Sequence, residues 1–228
     1  MRCVALLSGG KDSVAAIDVA RGHGWEVPVA LCIVPAEDDA WMFHTPNLAV
    51  VDAVAQALDL ELVRAPCRSG PEEEVADLET ALAQVKEEHD VGAVVSGALA
   101  SEYQRTRIDA IGHRLGLATF APLWHVDPDT YMDGLVAAGY DIRIARAAAD
   151  GLDETWAGRR LDAQALAELR ANPSRPHIAG EGGEFETLVL DGPGYQKRIE
   201  VEEEEVEATA SRSTWHVKRW RLSAVRRC

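Results

Sequence analysis

Residues 4–13 read Val-Ala-Leu-Leu-Ser-Gly-Gly-Lys-Asp-Ser: an apolar run, a glycine turn, and then the helix-compatible stretch Val14–Ala20. Few sequences constrain a fold so early. A strand that turns through glycines into a helix aims backbone N–H groups and the positive helix end at an anion. Gly9 and Gly10 lack a Cβ, so the backbone can turn sharply and approach a phosphate closely. Ser8 and Ser13 bring hydroxyls and Lys11 a point charge. Asp12 is a poor phosphate neighbour unless it orders the turn or reaches a Mg²⁺ ion shared with a nucleotide. The spacing matches neither a Walker loop, Gly-x-x-x-x-Gly-Lys-Ser/Thr, nor the dinucleotide fingerprint Gly-x-Gly-x-x-Gly.

Ser8–Ser13 after a first strand resembles the PP-loop of the ATP-pyrophosphatase superfamily. That resemblance implies cleavage of ATP between the α and β phosphates, with adenylation of a substrate oxygen.

Strand-like and helix-like stretches alternate through the first two thirds of the chain. Strands are expected over 4–7, 27–34, 61–65, 91–97 and 118–124. Helices are expected over 48–58, 71–88, 101–115 and 131–138, with Val75, Leu78, Leu82 and Val85 on one face of the second. The alternation predicts an α/β fold with a parallel, five-stranded, doubly wound sheet. Its ligands would lie outside the carboxyl ends of the strands. The pattern changes near Tyr140. Residues 1–138 are therefore expected to form an ATP-binding domain, and 139–228 a smaller α+β portion that binds substrate.

Composition narrows the function. The 228 residues carry a formal charge of −15. An acidic surface repels nucleic acid and anionic membrane, so neither is an expected partner. No apolar run is long enough for a transmembrane helix, and no leader precedes the first strand, so a cytoplasmic protein is expected. Cys3, Cys32, Cys67 and Cys228 are scattered without a Cys-x-x-Cys pair, which disfavours a zinc site or a redox dithiol.

Two further segments carry chemistry. In Gly180-Glu181-Gly182-Gly183-Glu184-Phe185-Glu186-Thr187, three carboxylates crowd one short loop and would repel one another unless a cation shares them. In Ser96-Gly97-Ala98 and the following Tyr103-Gln104-Arg105-Thr106-Arg107, Arg105 and Arg107 could neutralise phosphate or leaving pyrophosphate, and Tyr103 shares a helix face with Arg107. His44 could contact nucleotide or move a proton. Trp41, Trp124 and Trp156 could stack on adenine or a cation. The run Glu202–Glu205 reads as a solvated strand edge. The basic cluster Lys218, Arg219, Arg221, Arg226 and Arg227 reads as either a solvated strand or a contact for an acidic partner or RNA.

Together these segments, with Met42-Phe43-His44-Thr45, Pro122-Leu123-Trp124, Gly151–Glu154 and Asp191, resemble the diphthine–ammonia ligase (diphthamide synthase) family in its short archaeal form. The resemblance implies an ATP-dependent ligase. In that reaction the carboxylate of diphthine, a modified histidine on translation elongation factor 2, is adenylated, and ammonium displaces AMP to give diphthamide. The implied cofactors are ATP and Mg²⁺. The implied catalytic residues are Lys11, Asp12, Arg105 and Arg107. The nucleotide would be held by Ser8, Gly9, Gly10, Lys11, Asp12, Ser13, His44 and Gly97, with Asp12 toward the metal. The substrate would be held by Tyr103, Gln104, Trp124, Trp156, Glu181, Gly182, Gly183, Glu184 and Glu186. No cysteine sits in a nucleophile-like turn, so free ammonium is the expected nitrogen source. The alternatives are a tRNA-modifying or small-molecule adenylating PP-loop enzyme, and an ATP-binding regulatory module without turnover.

Overall fold

The computed structural model describes residues 1–36 and 47–225. The chain divides into two compact units, residues 1–125 and 126–228. The sequence reading puts the junction at 138. The helix Pro128–Ala137 (α5) falls instead in the second unit, where Arg170 of a later helix pairs with its Asp129 and Asp133.

The first unit is built on strands β1 (Arg2–Leu6), β2 (Glu26–Pro35), β3 (Glu61–Cys67), β4 (Ala93–Val95) and β5 (Ala118–Phe120). All pair in parallel, in the order β3-β2-β1-β4-β5. The chain moves outward from β1 to β3, then crosses back to place β4 on the other side of β1. The switch point therefore lies between β1 and β4, where ligands of such sheets bind. Helices α1 (Lys11–Gly22), α2 (Val51–Ala57), α3 (Pro71–His89) and α4 (Glu102–Leu115) connect the strands.

The core forms where the apolar stripe of α3 meets the sheet. Leu78, Leu82 and Val85 pack with Val29, Leu31, Ile33 and Val94, and Ile108 and Ile111 of α4 join them. Each such side chain, fully withdrawn from water, contributes about 1.5–3 kcal/mol. Pro71 opens α3 where a missing N–H costs nothing, and Glu72, Glu73 and Glu74 face the positive helix end. Gly116 stops α4 in the left-handed region.

Strand β5 ends at Phe120 rather than Trp124, and residues 122–125 form a turn. Pro122 has no N–H to extend a ladder. Helix α5 begins at Pro128 rather than Tyr131, because Asp127 caps it by accepting from the Thr130 N–H at 2.9 Å.

The second unit holds an antiparallel sheet of β6 (Asp141–Ala147), β7 (Phe185–Asp191), β8 (Lys197–Ala208) and β9 (Ser213–Ala224), in the order β7-β6-β9-β8, with helix α6 (Ala163–Ala171). The acidic run and the basic cluster seen in the sequence lie on β8 and β9 and face each other. Arg221 pairs with Glu200, Arg219 with Glu202 and Glu203, and Lys218 with Glu205. The described basic residues of that cluster are thus matched within the hairpin. Among the described residues, no helix is long and apolar enough to cross a membrane.

Candidate active site

The turn after β1 is folded by its own serines. Ser13 Oγ donates to the Gly10 carbonyl at 3.0 Å and accepts from the Ser8 N–H at 3.3 Å, while the Gly10 N–H reaches Ser8 Oγ at 3.4 Å. Ser13 is buried, so its hydroxyl shapes the loop from within. Gly9 takes a φ of 81°, a left-handed value that a glycine adopts without strain. Gly10 stands at the N-cap of α1 and contributes no capping side chain. First-turn N–H groups there are the orphan donors that an anion satisfies. Lys11 opens the helix and is only 3% exposed, with its Nζ donating to Asp12 Oδ2 at 2.9 Å.

The segment after β4 closes on this turn. A Cβ placed on Gly97 would sit 2.5 Å from the Asp12 carbonyl carbon, 2.7 Å from its oxygen and 2.7 Å from the Ser13 nitrogen. Only glycine allows this approach, and it brings Ser96-Gly97-Ala98 against the first turn of α1 at the sheet's switch point. The Ser96 N–H donates to the Phe120 carbonyl at 3.0 Å, which fixes the segment to β5.

Helix α4 leads away under a Ser101 cap whose Oγ accepts from the Gln104 N–H at 3.3 Å. The Arg107 guanidinium lies 3.4 Å from the Tyr103 ring centroid, so the shared face expected at i, i+4 is present. Arg105 donates to Asp109 Oδ2 at 2.7 Å and lies 5.4 Å from the centre of the Trp124 ring. Asp109 also accepts from Thr119 Oγ1 at 2.6 Å. Burial pushes the Asp109 carboxyl up, but the Thr119 hydroxyl and the Arg105 guanidinium outweigh it and hold it below its ordinary value. Asp109, which fixes the direction of Arg105, is not among the candidates read from the sequence; the signal that points to it is its i, i+4 spacing from Arg105.

Among the described residues, no three His, Cys, Asp or Glu side chains converge as a metal site. Asp12 is the carboxylate of the turn. A Mg²⁺ ion held there would take most of its ligands from phosphate and water, the usual arrangement for that ion. Cys3, Cys32 and Cys67 are buried thiols, each pushed up to about 11 chiefly by burial. They are not nucleophiles at neutral pH.

In the second unit the glycine-rich loop is a single 3-10 turn, Glu181–Gly183, ahead of β7. Gly180, Gly182 and Gly183 have φ values of 71°, 76° and 78°. The carboxylates do not simply crowd together. Glu184 accepts from the His177 N–H through Oε2, and Glu186 pairs with Arg146 at 3.5 Å. The Glu184 carbonyl accepts from the N–H groups of Ala148 and Ala149 at 2.9 and 3.0 Å, which anchors the loop to the end of β6. Trp156 is buried in a 3-10 turn, with Arg159 4.4 Å from its ring centre. Burial pushes the Asp191 carboxyl up, against the Gly192 N–H that it accepts at 2.9 Å.

Both units match known sequences. Residues 1–119 match the diphthamide synthase N-terminal domain, and residues 127–223 match the diphthamide synthase C-terminal domain. The chain belongs to the diphthamide synthase family. A relative from Bos taurus named diphthine–ammonia ligase is 34% identical over 90% of this chain and 85% of its own length. One of the same name from Homo sapiens is 33% identical over the same shares. One from Schizosaccharomyces pombe is 33% identical over 96% of this chain but 39% of its own length. The chain thus spans most of the length of the mammalian relatives and about two fifths of that of the Schizosaccharomyces pombe one.

Within this family frame, Ser8–Ser13 and Gly97 come together in the first unit. Tyr103, Gln104, Arg105, Arg107 and Trp124 lie along α4 and the turn after β5. Glu181, Gly182, Gly183, Glu184, Glu186 and Trp156 belong to the second unit. His44, with Met42, Phe43, Thr45 and Trp41, lies outside the described residues.

Proposed function

We propose that the chain is an ATP-dependent diphthine–ammonia ligase that converts diphthine on translation elongation factor 2 to diphthamide. The observation that carries the reading is the intact phosphate cradle, in which Gly97 abuts the first turn of α1 beside the buried Lys11. Membership of the diphthamide synthase family across both units supports the rest.

In the proposed reaction a diphthine carboxylate oxygen bonds to the α phosphorus of ATP as the bond to the β-phosphate oxygen breaks, and pyrophosphate leaves. Ammonia then adds to the carbonyl carbon, loses a proton, and expels AMP. N–H groups at the start of α1 would hold phosphate oxygens, and Lys11 would exchange its contact with Asp12 for the developing charge on pyrophosphate. Mg²⁺, held through Asp12, would supply further neutralisation of that charge. Arg105, aimed by Asp109, and Arg107, set against Tyr103, would stabilise the leaving group.

The Gly180–Thr187 loop of the second unit would meet the substrate's cationic head or ammonium. With the arginines of β9 matched by glutamates of β8 and a net charge of −15, nucleic acid is a poor partner. The cytoplasm follows as the proposed location from the substrate.

The test is incubation with ATP, ammonium and elongation factor 2 carrying diphthine. The expected products are AMP and a factor whose modified residue has exchanged a hydroxyl for an amino group by mass. AMP release indifferent to the factor would discard this substrate.

A further inference from the structure

We infer that His177 is the residue that positions the Gly180–Thr187 loop, pinning it from both ends. Its backbone N–H donates to Glu184 Oε2. Its imidazole Nδ1 accepts from the Ala179 N–H at 3.2 Å and from the Glu181 N–H at 3.3 Å. One residue thus holds two amides at the entry to the loop and the carboxylate that follows its 3-10 turn. Accepting at Nδ1 places the neutral ring's hydrogen on Nε2, a tautomer assigned from these contacts.

The loop needs such an outside anchor. Its 3-10 turn is one turn long, and Gly182 inside it departs from helical geometry at φ 76°, ψ 13°. Glycines lose the most conformational freedom on ordering. Two other ties complete the frame. The Glu184 carbonyl is held by the Ala148 and Ala149 N–H groups. A Cβ on Gly180 would come within 2.6 Å of the Phe185 carbonyl oxygen, so the loop's two ends are in close contact. His177 thus holds the N–H groups of the residues on either side of Gly180, and with them the main chain that carries Glu181. Glu184, one of whose carboxylate oxygens is engaged with His177, acts in the same frame.

The inference rests on the reading that this loop meets the diphthine-bearing substrate, and the test separates the two. Amide hydrogen exchange at Ala179 and Glu181 is compared in wild type, His177→Leu, His177→Asn and Glu184→Ala, beside KM values for the modified factor and for ATP. Asn presents a carbonyl oxygen near the place of Nδ1. Losing the acceptor should speed exchange at both amides roughly tenfold in His177→Leu. It should also raise KM for the modified factor by about tenfold or more while KM for ATP stays put. His177→Asn should recover most of both, while Glu184→Ala, which leaves the Nδ1 acceptor in place, should leave exchange at the two amides near wild type. Should His177→Leu fail to fold, His177→Ala, which also removes the Nδ1 acceptor, takes its place in the comparison with His177→Asn. Unchanged exchange would overturn the anchoring role. Faster exchange with an unchanged KM for the factor would overturn the positioning role. If the wild type makes no diphthamide at all, the functional reading falls, and exchange alone decides the anchoring role.

Discussion

Replacing Gly97 by alanine is the sharpest test of how the cradle is built. The new Cβ would lie 2.5 Å from the Asp12 carbonyl carbon, and ordinary contact begins at 3.4 Å, so strand end and helix must part by about 0.9 Å. The obstructing atoms are backbone at the first turn of α1, which no side-chain rotation relieves. Such overpacking costs about 1–3 kcal/mol. Because the shift falls on the N–H groups proposed to hold phosphate, a displacement near 1 Å should lower kcat/KM for ATP by about 100-fold. The control is Gly92→Ala, at the entrance to β4, where an added Cβ meets nothing within 4 Å. ATP affinity by calorimetry, AMP release and thermal unfolding should all change for the first variant and not for the second. A Gly97→Ala protein that binds ATP within about twofold of wild type would refute the close-approach argument.

Other consequences are equally concrete. Lys11→Met should lose about 100-fold or more in kcat/KM for ATP while remaining folded by circular dichroism, since the change removes charge and keeps bulk. In a Cys228→Ser background, the folded protein should resist alkylation at pH 8, because the Cys3, Cys32 and Cys67 thiols are pushed up to about 11; rapid labelling before unfolding would contradict this. Glu168, hydrogen-bonded by Arg159 and Gln164, should titrate at about 2 by NMR, below its ordinary 4.5. Its folded value is depressed, so its contribution is complete above 4.5 and fades as pH falls toward 2, and Arg159→Ala should move the titration back up. Gly158→Ala should destabilise the protein by about 1–3 kcal/mol in urea with ATP affinity unchanged, because its Cβ would lie 2.9 Å from the Trp215 ring at a φ of +80°.

Much of the first unit is legible in the sequence because its signals are local. The glycine turn, the apolar stripe of α3 and the strand–helix alternation each state their period within a few residues. The differences lie in where elements stop and start. Apolar pattern alone carries β5 on to Trp124, whereas the missing donor of Pro122 ends it sooner; the same pattern starts α5 at Tyr131, whereas the Asp127-Pro128 cap starts it earlier. Gly97 is visible as part of a motif, but its reason, contact with Asp12, exists only once β1 and β4 are neighbours. The glutamates of β8 and the arginines of β9 are ambiguous apart, and hairpin register makes them partners. His177 carries little signal. A histidine after a proline and three residues before Gly180 gives no periodic or charge pattern, and its importance lies in two backbone amides and one carboxylate that folding brings to it.

The most direct measurement follows the oxygen. With diphthine carboxylate enriched in ¹⁸O, ATP and ammonium, one labelled oxygen should appear in the phosphate of the AMP released as diphthamide forms. Diphthamide formed with AMP free of label would contradict activation of the carboxylate at the α phosphorus, the step for which the Lys11 cradle is proposed to be built.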